Sequence, residues 1–376
     1  MTSLTLPSTS PLSVSTPLIP RKFAFLVHSR HAYNVDLGLY WKPLRKVPNA
    51  VYRQVFTRMK APSVKWSDIY LNNPQGEMKF LGSNEAVLLT AQALLSLGTE
   101  GVHKRIDRII DKLVRKGYQN IGLGGFTSPM TLGGQLLKHR TDVSITNGNA
   151  FTAVSLYRAI LKLLQATPTL VKHHSIVGAT GSVGSCLAKL LVKNHYCEKL
   201  QLVARDLTKL ETLKKELKVL SPSVVIEITE KVEAIKKSNL TTLLTASTDN
   251  IIRADMLSPN AVVLDGTQPR NTSPKLTAAR PDITVIDGGI ISIPGITLKN
   301  GGFGLPRHHH FACFSETLLW ALEGQSDHFS IGYPMVEQAE HMEKLALKHQ
   351  ALGFGLADFT SFGKPLQNSA YATEKQ

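Results

Sequence analysis

The sequence predicts an α/β fold built on a doubly wound parallel sheet, and three observations carry that expectation. A short apolar run ending in Val177 leads into Gly178, Gly181 and Gly184 and then into a helical pattern over residues 185–192. A second apolar run at residues 200–204 follows at the spacing of a βαβ unit. Further apolar, β-branched runs recur at 224–228, 241–246, 261–265 and 283–287. Strands covered on both faces of a parallel sheet read in this way, as continuous apolar runs rather than alternating ones. Together they describe a Rossmann-type sheet, preceded by an N-terminal α/β domain and followed by a C-terminal helical segment.

The 376 residues leave room for about two to three domains, each with its own core. The expected division is a disordered tail at 1–20, a substrate domain at 21–165, a nucleotide-binding domain at 166–305 and the helical segment at 306–376. The tail is rich in Ser, Thr and Pro and has no charged side chain. It therefore lacks the basic start of a secretory signal and the arginines of a mitochondrial presequence. No apolar run approaches the ~20 residues of a membrane helix. The longest, 86–97, is broken by Thr90, Gln92 and Ser96. Three cysteines, Cys186, Cys197 and Cys313, make no disulfide framework and point to a reducing, cytoplasmic setting. The net charge of +15 favours an acidic partner or substrate. No zinc-finger, zipper or RNA-binding signature accompanies it, so nucleic acid is not the expected partner.

The elements follow in order. Residues 23–28 read as a strand, 34–65 as short helices and loops, and 66–81 as a hairpin turning at 72–76. Residues 85–97 read as a mostly apolar helix. Over 101–117, Ile106, Ile109, Ile110, Leu113 and Val114 form one helical stripe. The other face carries Lys104, Arg105, Arg108, Lys112, Arg115 and Lys116, either as a solvated surface or as a docking face for an acidic partner. Residues 121–128 form a glycine-dense strand end where backbone can approach a ligand. Thr146, Asn147, Gly148 and Asn149 precede a helix at 150–164, with Asn147 or Asn149 as its N-cap. Beyond the glycine turn come helices at 207–219 and 232–237, a glycine-rich linker at 294–306, and helices at 317–323 and 335–349.

The glycine turn has the spacing G-x-x-G-x-x-G. It offers backbone N–H groups and a helix N-terminus to a pyrophosphate, through Gly178, Thr180, Gly181, Ser182, Val183 and Gly184. Ligands of such sheets gather at the C-terminal strand ends, which adds Ala246, Ser247, Asp265 and Gly266, with Thr248 and Asp249 beside them. Arg205 directly follows the second strand, where an arginine suits a 2′-phosphate, and Lys209 lies one turn on. NADPH is the expected cofactor; the adjacent Asp206 would instead suit NAD if the frame slipped by one residue.

Cys313 stands at or just before a helix start, after Arg307 and three histidines. A helix N-terminus and neighbouring cations lower a thiol pKa, which would make Cys313 a nucleophile toward a thioester or carbonyl. It also reads as a small buried cysteine between Phe311 and Phe314. Cys186 and Cys197 read as structural. Consecutive His308, His309 and His310 do not all face one ion, so no metal site is expected. His310 suits a general acid. Glu316 either favours the first helical turn or orients a donor in the site.

Several stretches resemble one family: 123–128 (LGGFTS), 146–153 (TNGNAFTA), 178–185 (GATGSVGS), 202–205 (LVAR), 263–271 (VLDGTQPRN), 288–290 (GGI) and 311–316 (FACFSE). In this order, over roughly 81–354, they resemble the cyanobacterial-type long-chain acyl-[acyl-carrier-protein] reductases. The resemblance implies NADPH-dependent reduction of a fatty acyl thioester to an aldehyde, with Cys313 taking up the acyl group. It also implies an acidic acyl carrier protein or acyl-CoA as donor, and a downstream enzyme that consumes the aldehyde. The chain departs from the pattern up to about residue 79, in the triple histidine and in the tail. A shikimate-type dehydrogenase acting on a free carbonyl and a non-catalytic NADP-sensing protein are the alternatives.

Overall fold

The computed structural model describes residues 19–29, 32–38, 41–72, 76–168, 173–247, 251–366 and 371. The expected tail up to residue 18, the hairpin tip at 73–75, and Thr248 and Asp249 lie outside the described residues.

Two six-stranded sheets organise the chain. The first is built from β1 (Phe23–Ser29), β2 (Ser63–Asn72), β3 (Met78–Thr90), β4 (Asn120–Leu123) and β5 (Ser144–Thr146). Two helices, α1 (Tyr33–Leu37) and α2 (Asn49–Arg58), fill the connection after β1, and α3 (Ala91–Val114) follows β3. At its centre β1 runs parallel to both β3 and β4, pairing Phe23 with Gly82 on one side and Asn120 on the other. The stripe of α3 packs under this sheet, with Ile106, Ile109, Ile110 and Leu113 fully buried. Each such side chain contributes about 1.5–3 kcal/mol. Arg140, from the segment before β5, anchors α3 through Asp107 and Asp111, each at 2.8 Å.

Helix α4 (Asn149–Ala166) leads into the second sheet, made of β6 (His174–Val177), β7 (Lys199–Val203), β8 (Val225–Thr229), β9 (Leu240–Leu243), β10 (Val262–Asp265) and β11 (Thr284–Asp287). Between them lie α5 (Ser182–Lys193), α6 (Leu207–Leu220) and α7 (Pro274–Ala279). All pairings are parallel and the order is β11-β10-β9-β6-β7-β8. Read from β8 this is the 3-2-1-4-5-6 order of the doubly wound nucleotide fold. The fold is therefore α/β of Rossmann type.

Two expectations change. Residues 85–90 belong to β3, and the helix starts only at Ala91, where Thr90 caps Ala93 N–H at 3.3 Å. A central strand buried on both faces and a buried helix give the same unbroken apolar run, so periodicity alone does not separate them. The supposed linker at 294–306 contains a strand, as the chain after β11 shows. Strand β12 (Ile290–Ser292) leads to β13 (Ile296–Lys299), which returns to the first sheet and pairs antiparallel with β2. Strand β14 (His309–Phe311) then pairs with β12 and runs into α8 (Ala312–Leu322), five residues earlier than the expected helix at 317. Helix α9 (Val336–Lys348) follows. No helix among the described residues is long and apolar enough to cross a membrane.

Candidate active site

A cleft of about 540 Å³ with a mainly apolar lining runs between the two sheets. Its second-sheet side is a backbone construction. Gly178 has φ +86°, and a Cβ there would lie 2.7 Å from the Leu244 carbonyl carbon. A Cβ on Gly184 would lie 2.4 Å from the Gly178 oxygen, so the third glycine lets α5 pack onto the turn. The turn closes through Gly181 N–H to Gly178 O at 3.0 Å. Helix α5 then starts at Ser182, and its first N–H groups are the ones a helix cannot pair internally. Gly181, Ser182, Val183, Ala246 and Gly266 line the cleft. This arrangement fits a dinucleotide pyrophosphate.

The loops after β9 and β10 hold the rest of that side. Asp265 does not line the cleft. Its carboxylate accepts from the N–H and hydroxyl of both Thr267 and Thr272 and from Asn271 N–H, which folds the 266–272 loop back on its strand. Burial raises its carboxyl above the usual carboxylate range, against those donors. Ser247 serves its neighbours through the backbone: its N–H donates to Thr245 Oγ1 and its carbonyl accepts from Asn271. The Thr180 carbonyl accepts from the Tyr333 hydroxyl at 3.2 Å. Beyond the cleft, Arg205 is exposed just after β7 and lines an open groove with Lys231 and Arg253. Asp206 caps α6 by accepting from Lys209 N–H at 3.0 Å, and the Lys209 ammonium lies 3.5 Å from the same carboxylate.

The first-sheet side is made of side chains from distant segments. Cys313 is in the first turn of α8 and lines the cleft. Helix α8 lies so close to the start of α4 that a Cβ on Gly148 would be 2.2 Å from the Cys313 Cβ. Glu316, one turn on and fully buried, holds this contact. It accepts from Gly148 N–H at 3.0 Å, from Phe151 N–H at 2.8 Å and from the Thr146 hydroxyl, and the Ser330 hydroxyl lies 2.6 Å away. Desolvation raises its carboxyl; the four donors oppose that. Helix α4 therefore takes its cap from Glu316, because its N-cap residue is Gly148, which has no side chain to offer. Asn147 accepts from Asn149 N–H at 3.0 Å, and the Asn149 amide reaches Ser182 Oγ at 2.8 Å, joining this corner to the glycine turn.

The thiol does not behave as the sequence suggested. Desolvation pushes Cys313 up to about 12, and the amides of Phe314, Cys313 itself and Gly125, which face the sulfur, only partly offset it. None of the three histidines lines the cleft. His310 lines a separate cavity of about 190 Å³ rather than the cleft. Alternation along β14 is the reason: Phe311 faces the cleft, so His310 faces away and stacks on Phe314 at 5.1 Å. Burial pushes its imidazole down to about 3 and leaves both ring nitrogens without a hydrogen-bond partner. Cys186 and Cys197 are buried, each pushed up to about 12 by desolvation. Among the described residues no group of three or more His, Cys, Asp and Glu side chains is arranged to hold a metal ion.

Among the cleft residues that escaped the sequence reading is a histidine. His28 ends the apolar run of β1 and lines the cleft, 5% exposed. The available signal was the rule already used for the second sheet, that ligands gather at the C-terminal ends of parallel strands. Gly125, from the predicted glycine-dense strand end, packs against His28 and lines the same cleft.

No family model matches the chain. It is 28% identical over 278 residues to the aminotransferase PigE of Serratia sp.; the match covers 72% of this chain and 32% of that protein. It is 25% identical over 259 residues to the long-chain acyl-[acyl-carrier-protein] reductase of Synechococcus elongatus, covering 62% of this chain and 71% of that protein. Among solved structures, quinate dehydrogenase from Corynebacterium glutamicum in complex with NAD aligns with a TM-score of 0.38 at 12% identity, over 86% of this chain and 99% of that one. The fold assignment rests on the strand order rather than on this distant likeness.

Proposed function

We propose that the chain is an NAD(P)-dependent oxidoreductase that reduces a fatty acyl thioester to the aldehyde, with the acyl group carried on Cys313 and NADPH as reductant. The observation that carries this reading is that Cys313 and the glycine turn share one mainly apolar cleft. In this reading the first sheet holds the substrate and the second the cofactor. The match to the Synechococcus elongatus reductase supports the substrate class. Cys313 Sγ bonds to the thioester carbonyl carbon and the carrier thiol leaves. The amides facing the sulfur are fixed donors near the carbon where negative charge develops on oxygen. Held by Gly178, Gly181, Gly184 and the start of α5, a nicotinamide cofactor would supply the hydride that brings this carbon to the aldehyde level. The sulfur–carbon bond then breaks, and Cys313 regains a proton.

Arg205 supports NADPH over NADH, because it is exposed directly after β7 while the Asp206 carboxylate, though also accessible, is engaged by Lys209 in capping α6. The exposed Lys104 and Arg108 of α3 and Arg115 and Lys116 just after it, within a net charge of +15, favour encounter with an acidic acyl carrier protein. An aldehyde is also a group onto which an aminotransferase can place nitrogen, so the PigE match supports an aldehyde-consuming partner.

The test is incubation with a panel of acyl thioesters of carrier protein and of coenzyme A, without NADPH, followed by intact and peptide mass measurement. The expected result is one acyl group on Cys313, absent from Cys313→Ala and discharged as aldehyde when NADPH is added. A Cys313→Ala protein that still oxidises NADPH with a free carbonyl substrate would instead support the shikimate-type reading.

A further inference from the structure

A thiol pushed up to about 12 keeps its proton at neutral pH and is a poor nucleophile, so Cys313 needs a proton acceptor within reach. Three side chains lining the cleft can titrate: Cys313, His28 and Tyr333. A phenol ordinarily titrates near 10, and the Tyr333 hydroxyl is engaged with the Thr180 carbonyl. Glu316 is enclosed by its own donors, and His310 opens into a different cavity. Imidazole is the side chain whose ordinary pKa lies near neutrality, and His28 is the imidazole of this cleft.

Its placement suits the task. The Phe126 N–H donates to His28 Nδ1 at 3.3 Å, which puts the lone pair of the neutral ring on Nδ1 and the proton on Nε2. A Cβ on Gly125 would lie 2.6 Å from Nδ1, so this nitrogen faces Gly125, and the amide of Gly125 in turn faces the Cys313 sulfur. One glycine therefore lies against both the base and the nucleophile, and a proton taken up at Nδ1 replaces the bond from Phe126 N–H. Among the described residues, the titratable groups that line a cavity together with His28 are Cys313 from α8 and Tyr333 from the segment before α9, in the cleft, and Asp36 from α1. Asp36 lines, together with His28, a small cavity of about 40 Å³ that Cys313 does not reach.

We propose that His28 is the acid–base residue of this cleft: Nδ1 takes the Cys313 proton as sulfur bonds to the thioester carbonyl carbon, and returns it to the departing carrier thiolate. One S–H bond and one carbon–sulfur bond break, one of each forms, and nothing is oxidised or reduced in this step. The inference rests on the reading of Cys313 as the acylated nucleophile.

Two measurements on the full chain test it. In the first, acyl transfer to Cys313 without NADPH is timed by intact mass across pH for the wild type and His28→Gln. The expected outcome is a rate about a hundredfold or more lower in the variant, with unchanged NADPH affinity. The wild-type rate should fall as pH drops through the imidazole range, and the variant should lack that inflection. An unchanged rate and pH profile would overturn the assignment. The second measurement needs no thioester and no variant: alkylation of Cys313 by iodoacetamide, followed by peptide mass. An inflection near neutrality is expected, and a rate that climbs about tenfold per pH unit up to pH 9 without one overturns the pairing. A protein that has the inflection but never accepts an acyl group would keep the pairing and sink the reductase reading instead.

Discussion

The two sides of the cleft are made of different material. The cofactor side is mainly backbone: a glycine turn, a helix start and loops in which the buried carboxylate of Asp265 binds only within 266–272, while that of Asp287, at the end of β11, holds Arg270 and the turn at 360–363. The substrate side is assembled from β1, the segment after β4, the start of α4 and α8, and its buried carboxylate, Glu316, binds across three separate segments. A backbone cradle places donors for a phosphate whatever reaction follows, whereas side chains brought from far apart decide which bond is made. The two sides should therefore fail independently.

The largest expected effect is at Glu316. Glu316→Leu leaves several buried donors unpaired, at roughly 1–3 kcal/mol each, and should lower unfolding stability by about 3–5 kcal/mol. Acyl capture on Cys313 should slow with it, while the remaining folded protein binds NADPH normally. Urea unfolding, cofactor titration and intact mass read these three quantities, and a parallel loss of cofactor affinity would show that the sides are coupled. Gly184→Val should do the reverse. Its side chain meets the Gly178 carbonyl, and overpacking of about 1–3 kcal/mol corresponds to a roughly tenfold to hundredfold loss of NADPH affinity. Acyl capture in the absence of cofactor should be unchanged.

The smallest effect is on pH dependence, through two buried histidines that do not line the cleft. His174 on β6 and His310 on β14 are both pushed down to about 3 by desolvation, against an ordinary value of about 6.5. Between those values the unfolded chain binds more protons than the folded one, so stability is lost as pH falls below about 6.5. At pH 5.5 each imidazole should cost about 1 kcal/mol, read as a lower urea midpoint than at pH 7.5. His310→Leu and His174→Val should each flatten part of this slope, and His173 and His309, which burial also lowers, contribute in the same direction.

Much of the second sheet was legible because each of its strands is specified by its own short run. The strand expected at 200–204 is Lys199–Val203, and the one expected at 261–265 is Val262–Asp265. The first sheet was less legible: the fate of 85–90 and 294–306 depends on which strands lie beside them. The same holds for the site. The conspicuous triple histidine turned its most buried member away from the cleft through simple strand alternation, whereas His28, alone at the end of an apolar run, was brought to it. The expected lowering of the Cys313 pKa weighed a helix start and nearby cations. It could not weigh the desolvation that close packing against Gly148 brings.

Strand β13 carries a consequence for biosynthesis. It closes the edge of the first sheet by pairing with β2, and Trp66 Nε1 reaches the Gly302 carbonyl across 236 positions of sequence. While the ribosome is still making the second sheet, β2 has no partner on that side, and an unpaired strand edge is a template for association with other chains. The nascent protein must keep that edge out of trouble until Ile296–Lys299 has been made. Its exposure to aggregation should therefore depend on the pace of elongation through the second sheet as much as on the stability of the finished fold.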